Sequence, residues 1–167
     1  MIQKQVLSPH FCLDEFTKSS TAIKHGIQNN PPQEAVENLK RLCQGSLEPL
    51  REELGLPMVI TSGFRTKTLN DLLAHSSERS QHMQGQAADF YVAPGQSGFS
   101  RRELLIKAFR LIITSEQIDY DQLILYPSFI HVSYVSRERN RRSILLGMRN
   151  GKLGYGKCSV QNALKIQ

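Results

Sequence analysis

The stretch Ser80-Gln-His-Met-Gln-Gly-Gln-Ala-Ala-Asp89 sets a histidine and an aspartate seven residues apart, with a glycine and two alanines between them. Gly85 permits a tight turn, and Ala87 and Ala88 open a strand whose small side chains allow close packing beside a site. His82 before the turn and Asp89 on the strand are therefore expected to converge on one point. A histidine and an aspartate at this spacing carry little weight alone in a chain with five histidines. Ser80, Gly85 and Ala87 at their own offsets make the compound pattern informative.

Working outward, the strand continues through Phe90-Tyr-Val92, and a second short β-branched run, Pro57 to Thr61, precedes the stretch and ends at Ser62-Gly63. Leu69, Leu72 and Leu73 indicate a helical turn between them. Upstream, Val36, Leu39, Leu42, Cys43, Leu47, Leu50 and Leu54 recur at helical spacing and stop at Gly55, which predicts the main helix from Gln33, bent at Gly45 or Pro49. Ser8-Pro9 ahead of Phe11, Leu13 and Phe16 reads as a short capped helix, and Gly26 closes another around Thr21-Ala-Ile23. Downstream, Ser100 and Glu103 form a capping box for an amphipathic helix over 101–114. Three strand-like runs follow, Gln122 to Tyr126, Phe129 to Tyr134 and Ser143 to Met148, joined by short turns. Helices first and a meander last predict an α+β single domain with a mainly antiparallel central sheet flanked by helices. That domain is expected over 1–149, with 150–167 as a tail or edge hairpin.

At 167 residues and 40% hydrophobic content the chain suits one domain with a real core. The net charge of +6 attracts anionic partners without choosing among them. Arg101 with Arg102, and Arg137, Arg139, Arg141 and Arg142, read as solvated surface, because no array of aromatics for base stacking accompanies them. Nucleic acid is not expected as a partner. Cys12, Cys43 and Cys158 are odd in number and widely spaced, so they read as reduced structural thiols. The amino terminus lacks the apolar run of a secretory signal, and no apolar stretch is long enough to insert into a membrane.

Two ligands do not make a catalytic zinc site, which commonly uses three. His131 is the candidate third, because it lies inside the apolar run Phe129 to Tyr134, where an unpaired imidazole would be costly to bury. His10, His25 and His75 lie near helix ends or loops and are expected at the surface.

The motifs Ser80-x-His82-x-x-Gly85-x-Ala87-x-Asp89, Ser62-Gly-Phe-Arg65 with Leu69-Asn70, and Ile130-His-Val-Ser133 together resemble one family. It comprises the zinc D-alanyl-D-alanine carboxypeptidases and L-alanyl-D-glutamate endopeptidases of cell-wall turnover, whose fold the hedgehog signalling domain shares. The resemblance runs from about Glu15 to Asn140, and Asp121-Gln-Leu-Ile124 looks like its phage and gut-bacterial branch. It implies Zn2+ held by His82, Asp89 and His131, and Arg65 as the cation that meets the substrate carboxylate or peptide carbonyl. Such a zinc keeps a net positive charge, which acidifies water and polarises a scissile carbonyl. Ser80 and Tyr126 are expected to help hold the substrate, a peptidoglycan stem peptide.

The family's general base, an acid three residues before the last histidine, is replaced here by Ser128. A serine hydroxyl cannot accept a proton at neutral pH as a carboxylate does. Asp121 is the nearest candidate for that work, followed by Asp119, while Tyr126 or Tyr134 is a candidate donor to a developing oxyanion. The expected function is thus a zinc metallopeptidase acting at the bacterial wall after release or through a phage-type pore. The alternative is a catalytically weak or inactive homologue that binds a cell-wall peptide or a protein partner.

Overall fold

The computed structural model of the chain describes residues 5–74, 76–149 and 152–166. A small hairpin, β1 (Val6–Ser8) and β2 (Phe11–Cys12), leads into α1 (Leu13–Thr17). The capped helix expected from Ser8 thus begins only at Leu13, where Glu15 accepts a bond from the Cys12 amide at 2.8 Å. After α2 (Ser20–Lys24) comes the main helix in two parts, α3 (Gln33–Leu42) and α4 (Glu48–Leu54), joined by a π-helical turn over Cys43–Leu47.

The expected bend therefore has a local cause. Pro49 has no N–H to give to the Gly45 carbonyl one turn before it, and that carbonyl instead accepts the Asp119 amide at 2.9 Å. The same glycine admits the Tyr134 ring, since a Cβ there would lie 2.5 Å from Tyr134 Cε2. Gly55, at φ 64°, ends α4 in the left-handed conformation predicted from sequence.

The remaining elements are β3 (Met58–Ser62), α5 (Lys67–Leu72), a 3₁₀ turn over Gln81–Gln84, β4 (Ala87–Val92), α6 (Arg101–Thr114), β5 (Gln122–Leu125), β6 (Ile130–Ser133), β7 (Ser143–Arg149), β8 (Lys152–Lys157) and α7 (Val160–Ala163). Ser100 and Glu103 cap α6 reciprocally, as the sequence predicts. Six strands form one sheet in the order β3-β4-β6-β5-β7-β8. All neighbours are antiparallel except β5 and β7, which run parallel.

That pair corrects the expected terminal meander. β6 inserts between β4 and β5, so both its edges are hydrogen-bonded and β7 must take the far edge of β5. The connection from β6 to β7 crosses the end of β5, where two buried carboxylates fasten it. Asp119 accepts from Asn140 Nδ2 at 2.9 Å and Arg142 Nε at 3.1 Å, and Asp121 accepts from the Arg141 amide at 2.9 Å. Arg141 and Arg142 are accordingly anchored by ion pairs rather than simply solvated. Arg101 likewise lies over the Tyr91 ring, 4.0 Å from its centroid.

Strand alternation sorts the sheet into two faces. Ala88, Phe90, Val92, Leu123, Leu125, Ile130 and Val132 are buried with Leu39, Leu42, Leu50, Leu105 and Phe109 in one core. The positions between them, Asp89, Ile124 and His131, are left for the other face. β8 pairs with β7, and Ala163 of α7 is buried in the same core. No described helix is long and apolar enough to cross a membrane. Cys12, Cys43 and Cys158 are free thiols, and burial pushes the Cys43 thiol up.

Candidate metal centre

Asp89 of β4 and His131 of β6 are direct partners in the antiparallel ladder, so their side chains leave the same face side by side. His131 Nδ1 lies 2.8 Å from Asp89 Oδ1. His82 arrives from the 3₁₀ turn, its Nε2 3.4 Å from Asp89 Oδ1 and 3.3 Å from His131 Nδ1. The ligand atoms of all three residues lie within 4.8 Å of one another. Sequence positions 82, 89 and 131 therefore meet.

The turn that delivers His82 depends on Gly85. Its φ of 68° is the left-handed region, and a Cβ there would lie 2.2 Å from the Ala35 carbonyl oxygen of α3. Glycine alone satisfies both constraints. His82 Nδ1 donates to the Gly63 carbonyl at 2.7 Å, which fixes the tautomer and leaves the Nε2 lone pair facing Asp89 and His131. The Arg65 amide closes the same junction by donating to the His82 carbonyl at 3.2 Å.

Burial pushes the His82 imidazole below its ordinary pKa and keeps it neutral. For Asp89 burial acts the other way, but the His131 Nδ1–H donated to it at 2.8 Å helps hold the carboxyl well below the usual carboxylate range. A neutral imidazole and an ionised carboxylate are the states in which these groups ligate a metal. Two ring nitrogens and one carboxylate oxygen, with one ring held by an outer hydrogen bond, fit the donor chemistry of zinc.

Arg65 contacts the centre directly. Its Nη2 lies 3.1 Å from Asp89 Oδ2, and its Nε donates to Ser62 Oγ at 3.0 Å, Ser62 being the β3 partner of Asp89. The centre opens into a cleft of about 910 Å³ that Arg65, Ser80, Asp121 and Tyr126 also line. Tyr126 stacks on Phe129 at 4.3 Å between centroids, and its ring lies against Gly147.

The acids weighed from sequence occupy different places. Asp121 borders the cleft but is 1% exposed, and its carboxylate accepts from Arg141 Nε at 2.8 Å, Arg141 Nη2 at 2.5 Å and Gln81 Nε2 at 2.9 Å. Burial would raise it, yet these bonds prevail and keep its pKa below the ordinary value. Asp119 is 2% exposed and spent on fastening the crossover. Tyr134 packs on Gly45 and does not line the cleft, which removes it as a donor there. Ser128 is exposed and also outside the cleft lining. His10 pairs with Glu48, His25 is exposed, and His75 lies outside the described residues.

Sequence reasoning missed Gln81, Arg141 and the Gly63 carbonyl. Gln81 adjoins His82 in the quoted stretch, but only the fold shows that its amide faces Asp121.

Fold and site together define an α+β protein with a candidate metal centre of hydrolase type at the floor of a cleft. Residues 9–133 match the profile of the family described as Peptidase M15, and the chain belongs to that family. No curated protein matches the chain.

Proposed function

We propose that this chain is a zinc-dependent metallopeptidase that hydrolyses peptide bonds of peptidoglycan stem peptides, of the D-Ala-D-Ala or L-Ala-D-Glu type. The observation that carries the reading is the convergence of His82, Asp89 and His131 on one point inside an open cleft. Zinc, when bound by these three, supplies a Lewis acid that acidifies water and polarises a carbonyl.

The rest is the work of the chain's own side chains. Arg65, tethered to Asp89 and Ser62, orients the ligating carboxylate and presents a cation to the substrate carboxylate or peptide carbonyl. Tyr126 lines the cleft and serves as hydrogen-bond donor to a developing oxyanion. Ser80 stands at the start of the turn that carries His82 and contributes to the substrate wall. Asp121 is assigned to holding Arg141 and Gln81, since a carboxylate stabilised by those bonds is a weak proton acceptor. The Asp121-Gln-Leu-Ile124 run supports the phage and gut-bacterial branch, and action at the wall after release or through a phage-type pore accords with it.

A second reading, a binding homologue with little turnover, is favoured by one specific observation. Asp89 and Asp121 are the only carboxylates lining the cleft among the described residues, and an arginine engages each. The deciding experiment incubates zinc-loaded protein with purified muropeptides and identifies products by mass spectrometry. Cleavage that a chelator abolishes, and that His131→Ala also abolishes, supports the peptidase. Undiminished cleavage after either treatment overturns it, and metal-dependent binding without products selects the second reading.

A further inference from the structure

The cleft is lined by four arginines, Arg65, Arg79, Arg139 and Arg141, against two acids. Asp89 is engaged by Arg65 and Asp121 by Arg141, while Arg79 and Arg139 make no ion pair among the described residues. The balance left in the cleft is positive, which favours an anionic occupant.

Arg141 stands out among these four. Its backbone amide, Nε and Nη2 are all committed to Asp121, and Nη2 also approaches Gln81 Oε1 at 3.4 Å. The carboxylate beneath is 2% exposed at the side chain, yet the arginine side chain is 59% exposed. Nη1 makes no protein bond among the described residues. A guanidinium clamped along one edge has already lost the rotamer freedom that a surface arginine gives up on binding, so meeting a ligand costs it less. Its free edge can hold a carboxylate through charge-assisted hydrogen bonds. Gln81 bridges this unit to the turn that carries His82, which sets it at a fixed place relative to the metal centre. Arg65, by contrast, is bonded to the centre itself.

We infer that Arg141, held by Asp121 and Gln81, is a specificity-determining residue that reads a second carboxylate of the bound peptide, away from the bond beside the metal centre. The inference rests on the peptidase reading above for the identity of the peptide. Amidation of such a carboxylate turns an anion into a neutral amide and removes the charge that the guanidinium would read.

The test uses the zinc-loaded 167-residue chain and pairs of synthetic stem peptides differing only in one carboxylate or carboxamide, followed by turnover kinetics and by calorimetric binding. For at least one pair the wild-type chain is expected to favour the acid by about tenfold, in KM rather than kcat. In Arg141→Met the acid-to-amide ratio falls to within about twofold, with metal content retained. Because Arg141→Met leaves Asp121 without its partner, Asp121→Asn/Arg141→Met is measured beside it and is expected to show the same collapse. A folded variant that keeps the wild-type ratio, or a wild-type chain indifferent to every pair, overturns the assignment. Should the wild-type chain bind the acid more tightly in an Arg141-dependent way yet cleave neither peptide, the peptidase reading fails while the role of Arg141 stands.

Discussion

Asp89 and His82 are buried at 8% and 3% exposure, and their ionisation states fix how the metal-free protein responds to acid. The folded pKa of Asp89 is depressed, so its contribution is present above the unfolded value near ~4 and is lost as pH falls through the folded one. The folded pKa of His82 is also depressed, so the unfolded chain takes up its proton first, and stability declines as pH drops below ~6.5. Metal-free protein is therefore expected to melt at a lower temperature at pH 5 than at pH 7.5, and zinc should widen the gap by competing with those protons. Thermal scans with and without metal at the two pH values check this, and equal melting temperatures would contradict it. At the same scale, His131→Ala and Asp89→Ala should each lower zinc content at least about tenfold, read by metal analysis after dialysis. Asp121→Ala strips the crossover of a buried anchor and should cost about 2 kcal/mol in urea unfolding.

The 3₁₀ turn over Gln81–Gln84 is the element on which ligand geometry depends, and Gly85 is its hinge. Gly85→Ala combines a left-handed backbone with a contact of 2.2 Å to backbone oxygen, so α3 and the turn must separate. We expect a loss of about 2–4 kcal/mol and weakened zinc binding. Gly26→Ala is the matched control, because Gly26 has φ 63° but nothing within 4 Å of the added carbon. It should cost only about 1 kcal/mol and leave zinc affinity unchanged. Equal effects of the two substitutions on zinc binding would show that packing against Ala35 does not position His82.

Over the whole molecule, the sheet joins residues that are remote in sequence, and its far edge depends on β8. Ala163 is 0% exposed in the common core, and β8 bonds along β7, so we propose that β8 and α7 fold together with the rest of the chain. Ending the chain after Arg149, the boundary expected from sequence, should cost at least about 2 kcal/mol and expose the core, while the full chain unfolds in one transition. Calorimetry on the two proteins checks both statements. An unchanged melting temperature on truncation would mark the segment as dispensable.

Elements whose cause is local were legible in the sequence. The capping box fixes where α6 starts, Gly55 fixes where α4 stops, and the Gly85-x-Ala87-Ala88 pattern announces a tight turn into a strand. These signals act within a few residues, so composition and spacing suffice to read them. The pairing of β7 with β5, the clamp of Asp121 on Arg141 and the tautomer of His82 depend on groups brought together across the fold. No local propensity encodes them. They follow from which strand edges remain open and which buried polar groups still need partners once the sheet has formed, and those needs exist only in the folded chain.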